Sequence, residues 1–133
     1  MDNIRSYKRG LDFPNEGFIQ DSIEKYFIKL GYKQLNEKFS DFACVNSNTE
    51  EKWIIEAKGK TKAIGLDFRT CLGQLIQRMD SRDTHYGIAV PNLTQYINQC
   101  RMVKRWIRNE LNLYWLFVDK YGNVEVFEPD KEL

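Results

Sequence analysis

The segment Trp53-Ile54-Ile55-Glu56-Ala57-Lys58-Gly59 runs apolar and then ends in an acid and a base. Side chains alternate along a strand, so Ile54, Glu56 and Lys58 share one side and Trp53, Ile55 and Ala57 the other. Both sides begin apolar, which predicts a short strand covered on both faces. An acid and a base at the end of such a strand are costly to desolvate unless paired with each other, a metal or a substrate. Upstream, Ser40-Asp41-Phe42-Ala43-Cys44-Val45 reads as a second apolar strand with Asp41 at its start. The link between them, Asn46-Ser47-Asn48-Thr49-Glu50-Glu51, is rich in turn formers and compatible with a hairpin. Antiparallel pairing would set the start of the first strand beside the end of the second. Asp41 is therefore expected close to Glu56 and Lys58.

The rest of the chain predicts elements around this pair. Residues 1–13 are polar and mixed in charge and read as an arm. Pro14 and Asn15 mark a helix start, with Asn15 a candidate N-cap. Ile19, Ile23, Phe27 and Leu30 follow helical spacing and define the buried stripe of a helix over 16–30, stopped by Gly31. A weakly signalled strand covers 32–35. After the motif strand (52–58), residues 59–65 form a basic, glycine-containing loop. A second helix covers 67–79, a fourth strand 85–90 and a third helix 94–111. On that last helix Tyr96, Ile97, Cys100, Val103 and Ile107 make the apolar side. Strands at 113–118 and 124–127 follow, then an acidic tail. The order α-β-β-β-α-β-α-β-β predicts an α/β fold, a central mixed sheet flanked by helices.

The chain of 133 residues suits one domain with a single core. Lys plus Arg number 20 against 19 Asp plus Glu, a formal charge of +1, so nucleic-acid contact would need local positive charge. Cys44, Cys71 and Cys100 have no close pair spacing and read, with the lone His85, as reduced thiols of a cytoplasmic protein and not as a zinc site. No signal peptide, membrane span, P-loop, dinucleotide fingerprint or helix-turn-helix is visible, which leaves no nucleotide cofactor and no membrane partner expected.

Asp41, a hairpin and then Glu56-Ala57-Lys58 resemble the D…(D/E)-x-K signature of the PD-(D/E)xK nuclease superfamily. The order helix, three strands, helix, strand over 14–90 resembles its restriction-endonuclease-like core, with 91–133 as a C-terminal extension. The proline that often precedes the Asp is replaced by Ser40. The resemblance implies a metal-dependent DNA endonuclease, in microbial or phage defence, repair or recombination. Mg²⁺ is the implied ion, with Mn²⁺ able to substitute. Asp41 and Glu56 would bind it through carboxylate oxygens, and the Ala57 backbone carbonyl would be a further ligand. Lys58 would orient the attacking water or stabilise the crowded phosphate. Against this stands the plain reading of a surface Asp and an ordinary Glu–Lys pair, and an inactive nucleic-acid-binding or protein-interaction module of the same fold.

The family often adds a Glu from the first helix. Glu16 and Glu24 compete for that place. Glu16 lies nearly in line with Ile23 and Phe27, while Glu24 is rotated toward the polar side. Glu16 is the better candidate, although a first-turn acid is also favoured by the helix dipole alone. Gln74, in Gly73-Gln74-Leu75, resembles the polar support residue that the family places on the helix after the motif strand. Lys60, Lys62 and Arg69 surround that loop and are candidate phosphate contacts. Arg101, Lys104, Arg105 and Arg108 form a basic stripe on the expected third helix, a candidate backbone contact unless an acidic partner such as the tail covers it. A domain this small cutting duplex DNA suggests a homodimer or a larger nuclease complex.

Overall fold

The computed structural model describes residues 10–37 and 40–133. Most of the expected arm, at 1–9, lies outside the described residues. The elements are α1 (Glu16–Lys29), β1 (Tyr32–Leu35), β2 (Phe42–Asn46), β3 (Lys52–Ala57), α2 (Ile64–Gln77), β4 (His85–Pro91), α3 (Thr94–Arg101), α4 (Arg105–Leu111), β5 (Leu113–Val118) and β6 (Val124–Phe127). The six strands lie side by side in chain order. β1–β2, β2–β3 and β5–β6 pair antiparallel; β3–β4 and β4–β5 pair parallel. The expected α/β fold with a mixed sheet and flanking helices is what forms.

Each face of the sheet has its own core. α1 lays Ile19, Ile23 and Phe27 on one face, against Phe42, Cys44, Trp53, Ile55 and Leu116. On the other face Phe68 and Leu75 of α2 and Tyr96 of α3 pack on Ile54, Tyr86, Ile88 and Trp115. The alternation read along β3 therefore holds, with Ile54 on the α2 face and Trp53, Ile55 and Ala57 on the α1 face. Central β4 and β5 are buried on both sides, which explains why their sequences are almost continuously apolar.

Local chemistry sets several boundaries. Asn46 closes the β2–β3 turn, its Oδ1 accepting the N–H groups of Asn48 (2.9 Å) and Thr49 (3.2 Å). Gly31 ends α1 with a positive φ of 92°, the left-handed region in which glycine is unstrained. Asn15 occupies the N-cap position of α1 with extended backbone, but its side chain makes no capping bond. α2 begins earlier than expected, at Ile64, because Thr61 Oγ1 accepts the Ala63 N–H (3.2 Å) and donates to Asp67.

The expected single helix over 94–111 is two helices. Residues 102–104 break it, and Lys104 takes an extended conformation (ψ 146°) before α4. The reason is tertiary. The break turns Arg108 inward, where its guanidinium lies over the Trp115 ring (5.1 Å) and donates to the carbonyls of Glu128 (2.7 Å) and Lys131 (2.9 Å). It also leaves Trp106 68% exposed, whereas Trp53 and Trp115 are in the core. Among the described residues, no helix is long and apolar enough to cross a membrane.

Candidate functional site

The site grows from the β2–β3 register. Phe42 stands opposite Ile55, so Asp41 falls beside the end of β3, just outside the ladder. Its Oδ2 accepts the Ala57 N–H at 2.8 Å. Its own carbonyl accepts a hydrogen bond from Gln20 Nε2 of α1, also 2.8 Å. Asp41 is thereby fixed from two elements. Glu56 lies on the α2 face of β3, 5% exposed. Its Oε2 is paired with Nη1 of Arg78, at the C-cap of α2.

The end of β3 is stitched to three further elements. The Lys58 N–H donates to the Ala89 carbonyl (2.9 Å), continuing the parallel ladder. The Gly59 carbonyl accepts the Tyr96 hydroxyl at 2.6 Å. The Lys60 N–H donates to Pro14 O at 2.8 Å. A Cβ on Gly59 would stand 2.2 Å from the backbone nitrogen of Glu16, so only glycine allows α1 to begin against this strand end. That close approach is how Glu16, on a helix of the opposite sheet face, comes near the site.

The electrostatics follow from burial. Desolvation, joined by the neighbouring Asp41 charge, pushes the Glu56 carboxyl up to about 7, although Arg78 and Lys58 pull it down. Cys71, on α2, marks where the charges converge. Burial raises its thiol to about 12, and it also feels Glu56, Lys58, Asp41 and Glu16. All three cysteines are free and buried.

The expected site residues separate into those the fold gathers and those it does not. Asp41, Glu56 and Lys58 meet at one strand end, with the Ala57 backbone between them. Glu16 is in electrostatic range, but a three-carboxylate metal group with Asp41 and Glu56 is not assembled. Among the described residues no three His, Cys, Asp or Glu side chains come together to hold a metal. α1 packs on the far face of the sheet, and its first residue, Glu16, comes to the strand end where Gly59 admits the helix start. Gln74 is exposed and makes no hydrogen bond to a site carboxylate. The α2 side chain that touches Glu56 is instead Arg78, one turn further on. Sequence reasoning missed it, and the spacing to Cys71 and Leu75, both buried, was the available signal that residue 78 turns inward.

The basic candidates divide as well. Lys60, Lys62 and Arg69 are exposed around the loop that leaves β3. Arg101, Lys104, Arg105 and Arg108 do not make one helical stripe, because the helix is broken between them. Arg105 pairs with Glu132 (3.3 Å) and Arg108 is buried under the tail's carbonyls, so the acidic C-terminal segment is their partner. Together with Arg101 and Lys104 they line a cavity of about 310 Å³ that Glu132 and Leu133 close.

Asp41 and Glu56 suit a hard divalent cation. Magnesium takes one or two protein carboxylates and completes its shell with water and substrate oxygens, so a two-carboxylate donor set with a nearby carbonyl is sufficient. Glu56 is buried, and one arginine does not offset its desolvation.

No protein-family model matches the chain, and no curated protein matches it. Solved structures do. A XisH family protein from Nostoc punctiforme aligns with a TM-score of 0.57 at 18% identity, over 83% of this chain and 98% of that one. An FdxN element excision controlling factor protein from Anabaena variabilis aligns with a TM-score of 0.58 at 19% identity, over 83% of this chain and 97% of that one. The chain shares its fold with these proteins.

Proposed function

We propose that this protein is a metal-dependent DNA endonuclease acting in recombination, excision or a related DNA-processing event. The observation that carries the reading is the junction of Asp41 with the Glu56–Lys58 strand end, through the 2.8 Å bond from the Ala57 N–H to Asp41 Oδ2. The likeness to an FdxN element excision controlling factor supports the DNA-processing context.

Asp41, Glu56 and the Ala57 carbonyl would hold the cation, Mg²⁺ or Mn²⁺. When bound, such an ion lowers the pKa of a coordinated water and neutralises charge on a phosphodiester. The chain's own residues do the rest. Lys58 is carried on the Glu56 side of β3, with its backbone tied to Ala89. There its ammonium orients the attacking water and meets the negative charge that builds on the phosphate oxygens. Water oxygen bonds to phosphorus as the bond to the leaving oxygen breaks, and the leaving oxygen ends protonated. Burial on the α2 face of β3 keeps Glu56 in place while this happens. Exposed Lys60, Lys62 and Arg69 flank the exit of β3 and meet the nucleic-acid backbone. Duplex cleavage by so small a domain calls for a second copy or a partner chain.

The test is cleavage of supercoiled plasmid, linear duplex, single strand and four-way junction with Mg²⁺, Mn²⁺ or EDTA. Metal-dependent cutting that Glu56→Ala and Lys58→Ala both abolish supports the nuclease. Cutting that survives both variants overturns it. A second reading, an inactive DNA-binding module, is favoured by one observation: Arg78 already pairs with Glu56. Nucleic-acid binding with neither cutting nor cation binding would establish that module instead.

A further inference from the structure

Arg78 reaches the site from the last turn of α2. The two members of its ion pair differ in environment: the Glu56 side chain is 6% exposed and the Arg78 side chain 27%. Glu56 is thus held nearly dry, while Arg78 comes to it from a rim open to solvent. On that rim lies a cavity of about 310 Å³, lined by Ser40, Lys52, Ile54, Arg78 and Asp80 among others. The guanidinium therefore has room to leave Glu56 without disturbing the core.

The charge of Asp41 opposes ionisation of Glu56, while Arg78 and Lys58 favour it. A divalent ion taken up by Glu56 competes with these two cations for the carboxylate. Of the two, Arg78 is the one in contact: its Nη1 is paired with Oε2 of Glu56, from a long side chain at a helix end. A cation that binds through Oε2 displaces it. Oδ2 of Asp41 already accepts the Ala57 N–H. Once released, a guanidinium beside the cation suits a phosphate, whose paired oxygens match its fork of donors.

We propose that Arg78 is a positioning residue that exchanges partners, holding Glu56 while the site lacks a cation and turning to a substrate phosphate when a cation takes Glu56. This rests on the reading of Asp41 and Glu56 as the cation-holding pair. It makes cation binding and nucleic-acid binding mutually reinforcing through one side chain.

The experiment is Mn²⁺ binding at pH 8, followed by electron paramagnetic resonance, on wild type, Arg78→Gln, Arg78→Lys and Glu56→Gln. Arg78→Gln keeps a hydrogen-bond donor near Glu56 and removes the charge; Arg78→Met repeats the test should glutamine disturb folding. The neutral variants are expected to bind Mn²⁺ about tenfold more tightly than wild type, and Arg78→Lys within about threefold of it. Glu56→Gln is expected to lose the ion. In a parallel titration with a non-hydrolysable duplex, Mn²⁺ tightens duplex binding by wild type, and that enhancement shrinks about tenfold in the neutral variants. Wild type and neutral variants binding Mn²⁺ equally would overturn the exchange and leave the cation site standing. Binding by none of the proteins would remove the cation site and the exchange with it. Binding by the neutral variants alone would establish Arg78 as the residue that keeps the ion out.

Discussion

Two glutamates mark the two ends of β3, and the fold treats them in opposite ways. Glu51 stands just before the strand and is surrounded by donors. Tyr32 donates to its Oε1, Trp53 Nε1 reaches the same oxygen at 3.3 Å, and His85 Nε2 lies 2.8 Å from Oε2. Burial works to raise its pKa, but Tyr32, His85 and Trp53 outweigh burial and hold it below the ordinary value. Glu56, near the other end, is more deeply buried. It has one charged partner that touches it and an acid for a neighbour, and its pKa goes up to about 7. A carboxylate whose lone pairs are filled by fixed side chains serves the fold. One left short of donors in a drier place keeps capacity for a cation or a substrate. The sheet thus anchors itself at one end of β3 and leaves one arginine to offset a buried carboxylate at the other.

The sharpest way to break this comparison is to neutralise each glutamate and measure DNA cleavage. Glu56→Gln is expected to reduce cleavage by about 1,000-fold. Glu51→Gln should leave the cleavage rate within a few-fold of wild type; an equal loss in both would erase the distinction. Next in size is the junction that brings α1 to the Glu56 end. Gly59→Ala drives a methyl into the backbone of Asn15 and Glu16, and is expected to cost about 3 kcal/mol in urea unfolding.

At the anchored end, Glu51→Ala strips the acceptor from Tyr32, Trp53 and His85 together. The expected cost is about 2 kcal/mol, read from the shift in urea midpoint. The pH dependence of stability separates the two ends by sign. The Glu56 pKa is raised, so the folded chain holds that proton more tightly than the unfolded one. Its contribution is full below the ordinary value of 4.5 and is lost as pH rises through about 7. In cation-free buffer, wild type should therefore lose on the order of 2 kcal/mol relative to Glu56→Gln between pH 5 and pH 8. Glu51, with its pKa lowered, contributes stability above the ordinary carboxylate value and loses it as pH falls through the folded one. The smallest effect lies away from both ends. Arg105→Ala breaks an exposed pair with Glu132 and is expected to cost less than about 1 kcal/mol.

Much of the architecture was legible along the chain. The alternation from Trp53 to Lys58 predicted two covered faces, and the structure has two cores divided along that alternation. The turn-rich link and the apolar run at 42–45 were enough to set Asp41 beside Glu56, because hairpin register follows from local geometry. The broken third helix was not legible. Its apolar positions keep helical spacing across the break, and only the docking of Arg108 under the C-terminal segment makes the interruption favourable. The same contact turned a supposed basic stripe into the partner of the acidic tail.

Arg78 shows where local reading ends. The acid, the base and the second carboxylate are close in the hairpin, so residue order along neighbouring strands determined their meeting. The charge that balances Glu56 comes from the far end of α2, and its approach depends on how that helix lies across the sheet. The approach of Glu16 depends likewise on Gly59 admitting the start of α1 to a strand end. Sequence by itself determined the strand pattern, the hairpin and the Asp41–Glu56–Lys58 constellation, because alternation and turn chemistry act over a few residues. Tertiary structure alone decided which cation Glu56 meets and which arginines face solvent. Those outcomes follow from packing between elements far apart in the chain.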